Sequence, residues 1–397
     1  MPVKPPQSPA EMDPLPGSGL EAEALARYED TFRNHYKEWA AMLQRNAARL
    51  RRGEYSLHWL DSTQARWGRR AKPSSRGLTY ADVNLVPGYG DQPEVASWLN
   101  FAPRGAVRDP YRAEMPVIED YTVLDRSEVW AENVIDLYEE AKARQWNATR
   151  DIPWAELAPL PEDLEKATCQ LCTFLTEVEF VAGDFPAKWL YRIPQDFLEV
   201  KSFLATQIMD EARHQEVFRK RAIAGGGLLH ASPGFEWALK AILEAPTHTM
   251  GTFLLNLLAE GLVLSVFRSG EMIAKTHVDK EIFRRCLQDE ARHVAYGVLE
   301  FKGWLDHHPN RAQGLEEMHR FADVGEQVIL TAFTEAALLE PVAILLGGGL
   351  KRIDEGMDGV ARIWTMFIDE YLQRCERAGF DRRSRCTIPT VAPWGAV

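Results

Sequence analysis

From Ser127 onward, apolar residues return every three or four positions through long stretches of the chain, and the strict alternation that marks half-buried strands is scarce. This pattern predicts an all-α protein, with helices over about 127–148, 161–182, 196–224, 233–245, 250–275, 278–306, 310–346 and 356–378. Their ends are marked by Gly225-Gly226-Gly227 and Gly347-Gly348-Gly349, and one start by Ser232-Pro233, a cap followed by a first-turn proline. A further helix is expected from about Leu20 to Arg52, halted at Gly53. Between it and Val123 the chain is rich in Pro, Gly and Trp without sustained periodicity, which reads as an irregular segment wrapping the helices.

Within the apolar helices, a few polar positions stand out. The stretch IMDEARHQEVF, residues 208–218, places a carboxylate and an imidazole one helical turn apart, and LQDEARHVAYG, beginning at Leu287, repeats the same five residues. Glu211 and His214 can therefore point at a common ion, as can Glu290 and His293. Two metal ions in a helical core also need carboxylates from two other helices, to supply ligands and offset charge. Ahead of the second motif, Glu260 lies in line with Phe253, Leu257, Leu264 and Phe267, in the most apolar stretch of the protein, where an unpartnered carboxylate is hard to keep. Ahead of the first there are two candidates. Glu179 shares its face with Cys172, Leu175 and Ala182 and is favoured, and Glu177, on a more polar face, remains the alternative. Glu179 precedes Glu211 by 32 residues and Glu260 precedes Glu290 by 30. A single Glu-His pair on a helix is usually a solvated salt-bridge face, but that account would have to hold twice and also explain Glu179 and Glu260.

Composition narrows the partners. A chain of 397 residues can bury a sizeable core, and its formal charge of -12 argues against nucleic acid. The first nineteen residues lack an apolar core segment and read as a disordered lead, so the expected location is the cytoplasm. The run from Phe253 to Phe267 is too short to span a bilayer and contains Asn256 and Glu260, so no membrane is expected. Five cysteines suit no disulfide framework, and Cys169 and Cys172, a lone C-x-x-C, read as small core residues. The basic cluster at 65–77, around Trp67, reads as a solvated loop. His230, His248, His277, His307, His308 and His319 fall outside the motif and are expected at surfaces or caps.

The series of Glu179, D-E-x-R-H, Glu260 and D-E-x-R-H, over roughly residues 161–306, resembles the ferritin-like di-iron carboxylate superfamily, which includes ribonucleotide reductase small subunits, multicomponent monooxygenase hydroxylases and arylamine N-oxygenases. The resemblance implies a ferritin-like four-helix bundle with extra helices, divided as a lead at 1–19, an N-terminal helix and wrapping segment at 20–126, and the dimetal domain at 127–397. It further implies that Asp210 and Asp289 orient the imidazoles of the opposite motif and that Arg213 and Arg292 are held in buried charge pairing. Three positions depart from particular relatives: Phe218 stands where reductase subunits commonly carry a radical Tyr, Leu264 where monooxygenases carry a Thr, and Cys286 where N-oxygenases add a His.

The expected activity is O2-dependent oxidation of a small organic molecule, by hydroxylation or N-oxygenation, at two iron ions, with manganese or a mixed pair as alternatives. Glu179, Glu211, Glu260 and Glu290 would act as ligands and catalytic carboxylates, and Phe174, Val178, Phe218 and Leu264 would line the site. Electrons would come from a ferredoxin or reductase, and a homodimer is possible. The competing readings are a ferroxidase or iron-handling protein and a metal-stabilised helical scaffold.

Overall fold

The computed structural model describes residues 40–55, 67–95, 124–231 and 233–394, together with the isolated positions 26, 30, 57, 60, 104 and 105. The chain divides into two compact units, residues 1–67 and 68–397. In the first, the described part of the expected N-terminal helix is helical over 40–51. The 1–19 lead and much of the wrapping segment lie outside the described residues.

The second unit is helical, and among its described residues the only β pairing is a single bridge between Ser74 and Gly77. Its main elements are α1 (Val134–Ala143), α2 (Glu162–Leu190), α3 (Leu198–Gly225), α4 (Pro233–Leu243), α5 (His248–Arg268), α6 (His277–His307), α7 (Arg311–Phe333), α8 (Ala336–Gly347) and α9 (Ile353–Arg377). Helices α2, α3, α5 and α6 form the four-helix core, with α2 packed along α3 and α5 along α6. The remaining helices cover them, and one continuous apolar cluster runs through all.

Three expected helices differ in extent. The span 127–148 breaks after Val129 and stops at Ala143. Helix α2 runs past the expected end at 182 with Pro186 inside it; a proline removes one backbone donor, and packing of Phe185 and Trp189 on each other and on His248 keeps the turn helical. The span 310–346 is two helices meeting at 56°. There the Thr334 hydroxyl takes the Leu330 carbonyl at 2.8 Å and Glu335 turns to an extended conformation, ending one helix and opening the next.

Helix α5 is straightforward in length and unusual in winding. At 21 residues it is long and apolar enough to cross a membrane, contrary to the shorter run read from sequence, and 83% of its apolar window is buried inside the fold. Its residues Phe253–Ala259 form a π-helical segment that ends on Glu260. Gly297 of α6 lets the two helices approach here, since a β-carbon at that position would lie 2.4 Å from Asn256 Cβ.

Candidate metal centre

The six ligand candidates converge in the middle of the four-helix core. Glu179, Glu211, His214 and Glu290 form one group whose ligand atoms all lie within 4.8 Å of one another, and Glu211, Glu260, Glu290 and His293 form a second. Glu211 and Glu290 belong to both groups, so the arrangement is two ion positions sharing two carboxylates. Each of the four helices contributes, and all six side chains are buried. Glu177, the alternative to Glu179, is half-buried and belongs to neither group.

The imidazoles are turned by what holds their outer nitrogens. His214 Nδ1 faces inward, 3.2 Å from both Glu211 Oε2 and Glu290 Oε1 and 3.7 Å from Glu179 Oε2, while its Nε2 lies 3.2 Å from Asp289 Oδ2. His293 repeats this, with Nδ1 2.8 Å from Glu211 Oε1 and 3.9 Å from Glu260 Oε1, and Nε2 3.4 Å from Asp210 Oδ2. Each aspartate thus serves the imidazole of the other motif. Arg213 bonds Asp210 and lies 3.1 Å from Asp289, and Arg292 bonds Asp289 and reaches Asp210 at 2.9 Å, so two acids and two guanidinium groups brace the centre from outside.

Four further side chains touch this network, and the sequence reading missed them. Trp146 Nε1 donates to Asp289 Oδ2 at 2.7 Å. Gln145 accepts from Arg213 at 2.5 Å. Asn256 Nδ2 and Gln207 Nε2 donate to the two oxygens of Glu260 at 2.7 and 3.1 Å. Asn256 and Gln207 each sit one turn before a ligand, Glu260 and Glu211, which is a signal the pattern contained. Trp146 and Gln145 lie in the segment after α1, far from every motif, and no local signal marks them.

The donor set suits two cations. Glu179 Oε1 and Glu290 Oε2 are buried without a hydrogen-bond partner, and the equally buried His293 Nδ1 and Glu211 Oε1 have only each other at 2.8 Å. Burial, reinforced by neighbouring carboxylates, pushes Glu179 and Glu260 well above the usual carboxylate range. Burial would also raise Glu211, but the His293 and His214 imidazoles overcome it and hold that carboxyl well below its ordinary value. Both imidazoles, which burial alone would lower, are held well above theirs, His214 by Cys286 and then Asp289 and Glu179, and His293 by Glu211, Asp210 and Glu290. These shifts are those of an acid-rich pocket short of cations, and these carboxylates and imidazoles are able to hold two metal ions.

The surroundings match the expected apolar lining only in part. Val178 bounds, with Phe235 and Phe333, an apolar void of about 20 Å³ that reaches Glu260, and Phe174 backs that wall, its ring tilted against Phe235 with centroids 4.5 Å apart. Phe218 is core, packed on Phe267 and Phe283. Leu264 faces away and lines an outer groove instead. Cys286 is buried beside His214, its thiol pushed up to about 12 by burial. His248, expected at a surface or cap, is buried against the Glu128 carbonyl and Glu300.

Fold and side-chain geometry together define a ferritin-like helical bundle with a buried carboxylate and imidazole cluster able to hold two metal ions, as the sequence resemblance implied. Among solved structures the chain is similar to R2-like ligand-binding oxidases. A variant with an aerobically reconstituted Mn/Fe cofactor is 19% identical over 62% of this chain and 94% of that one, with a TM-score of 0.50. Another with an Fe/Fe cofactor is 18% identical over 68% of this chain and 99% of that one, also at 0.50. No family model and no curated protein matches the sequence.

Proposed function

We propose that the protein is an O2-dependent oxidoreductase that uses two iron ions, or manganese and iron, to hydroxylate or N-oxygenate a small organic molecule. The observation that carries this reading is the buried set of four carboxylates and two imidazoles arranged as two overlapping ion positions. The Mn/Fe and Fe/Fe cofactors of the fold neighbours support redox-active ions at such a centre. Two such ions supply reductive activation of O2 when bound.

The chain's own residues would divide the work. Glu211 and Glu290, common to both groups, would serve both ions, Glu179 and Glu260 would each serve one, and the Asn256 and Gln207 amides would hold Glu260 in place. His214 and His293 are fixed in direction by Asp289 and Asp210. The void beside Glu260 keeps apolar walls against the centre, which excludes water from it. In this reading electrons arrive from an external ferredoxin or reductase, residues 127–397 carry the chemistry, and the acidic chain works in the cytoplasm without nucleic acid or membrane, with a homodimer as the assembly to look for.

The test is to load the metal-free protein anaerobically with Fe(II), count the metal, and mix rapidly with O2. The expected result is two irons per chain and a visible band whose decay quickens with an oxidisable substrate. Continuous conversion of many added Fe(II) ions to ferric product would make the protein a ferroxidase, and failure to bind two metals would leave a helical scaffold.

A further inference from the structure

Outside the metal centre, a groove of about 400 Å³ opens between the C-terminal half of α5, the middle of α6 and the end of α9. One wall is apolar and includes Leu264, Val294, Val298 and Leu299. The other carries the guanidinium groups of Arg268, Arg374 and Arg377 with a single acid, Glu370. The groove is thus locally positive in a chain of net charge -12.

Arg374 is the odd member. Its side chain is 7% exposed, it forms no ion pair among the described residues, and its one hydrogen bond runs from Nε to the Leu257 carbonyl at 3.1 Å. Its Nη2 is buried without a partner. Glu370 is already engaged, accepting from Arg268 at 2.6 Å and from Ser265. Burial accordingly pulls the Arg374 guanidinium down to about 10. The fold nevertheless makes room for it: a β-carbon at Gly261 would lie 2.5 Å from Arg374 Nε. A buried cation whose neighbouring acid, Glu370, is already taken by Arg268 and Ser265 is unfavourable, so this position is incomplete without a further anion.

We propose that the groove binds an amphipathic monocarboxylate, with its carboxylate on Arg374, Arg377 at the mouth, and its apolar body along Val294, Val298 and Leu299. A planar guanidinium fork matches a carboxylate, the apolar wall favours an alkyl or aryl body, and Glu370 disfavours a multiply charged anion. The site stands independently of the dimetal reading, although the Leu257 carbonyl that holds Arg374 belongs to the π-helical segment ending on the ligand Glu260.

The test is calorimetric titration of the full chain with decanoate below its micelle concentration, in metal-free and metal-loaded forms. One saturable site of equal affinity is expected in both, with decanol, decyltrimethylammonium and acetate at least about tenfold weaker. Arg374→Met is expected to weaken decanoate by about tenfold or more, and Arg377→Glu, an exposed change that the fold tolerates, by about threefold or more. If Arg374→Met fails to fold, Arg377→Glu and Val298→Asp decide the matter. Absence of saturable binding, equal binding of decanol, or indifference to these substitutions overturns the proposal. Binding confined to the metal-loaded form also overturns it, because the carboxylate would then be going to the ions, and the metal count tests that centre separately.

Discussion

Around Glu326 of α7, a buried polar cluster is closed. Arg382 donates to both carboxylate oxygens at 2.9 Å, Tyr371 donates at 2.6 Å, and the Thr387 amide does so at 2.6 Å. Around Glu179, Glu211, Glu260 and Glu290, four carboxylates share two imidazoles, and Glu179 Oε1 and Glu290 Oε2 have no donor. Both clusters are equally buried. The difference lies in charge balance: in the first, Arg382 meets buried Glu326 and, at the rim, the partly exposed Asp323, whereas the second gathers four acids with no fixed cation among them, a set that two divalent ions would neutralise. The layer of Asp210, Asp289, Arg213 and Arg292 around the metal centre is balanced like the first cluster, so the deficit is confined to the ion positions.

The sharpest way to break this comparison is to remove one acid from each cluster. Glu326→Ala leaves buried Arg382 with only the partly exposed Asp323 at 2.7 Å and strips Tyr371 and the Thr387 amide of their acceptor, and is expected to destabilise the protein by about 1–3 kcal/mol in urea denaturation without altering metal content. Glu179→Gln replaces a carboxyl that burial already pushes well above its usual range, so the metal-free variant should be at least as stable as its parent while failing to fill one ion position. A large loss of stability in metal-free Glu179→Gln would show that the centre is a closed structural network after all.

The next effect tests the bracing layer. Asp289→Asn keeps the shape but weakens the hold on His214 Nε2, and metal affinity is expected to fall about 10–100-fold in a competitive chelator titration.

The pH dependence follows from the same imbalance. Glu179, Glu260, His214 and His293 all have raised values, so in the metal-free fold each binds its proton more tightly than in the unfolded chain. The imidazole contribution is fully present below the ordinary His value of 6.5 and is lost as pH rises through the folded-state value. The raised carboxyl groups act with the same sign above their ordinary value of 4.5, whereas Glu211 and Asp289, held low, act only as the solution becomes acid. Metal ions displace these protons, so the gap in melting temperature between metal-loaded and metal-free protein should widen from about pH 6 to pH 8.5. A gap that narrows over that range would contradict the protonated, cation-deficient centre.

How far the sequence carried the structure depended on range. The ligand helices were legible because each obeys a local rule: apolar spacing fixes the helix, and a three-residue step fixes the face, which was enough to prefer Glu179 over Glu177. The bend at Thr334 was not legible, because an apolar pattern continues through it while a side-chain hydroxyl takes the carbonyl. Leu264 was misplaced because a four-residue step overshoots a full helical turn by about 40°, which carries it off the Glu260 face onto the outer groove. His248 was misjudged because its partners, the Glu128 carbonyl and Glu300, come from distant segments.

Trp146 is the extreme case of such long-range assembly and offers the finest test. Its indole donates to Asp289 143 positions away in sequence, and its ring stacks 6.5 Å from that of His214. Trp146→Phe keeps an aromatic ring and removes only the N–H. Asp289 retains Arg213 at 3.1 Å and His214 at 3.2 Å on the same oxygen, so the loss should be small, about 0.5–1.5 kcal/mol in denaturation of the metal-free protein. Metal affinity should weaken by only a few fold, because the imidazole is still held from its outer nitrogen, whereas Asp289→Asn weakens that hold itself. A Trp146→Phe effect as large as that of Asp289→Asn would mean that the indole, and not the guanidinium pair, sets the position of Asp289, and the balance drawn between acids and arginines would have to include a neutral donor.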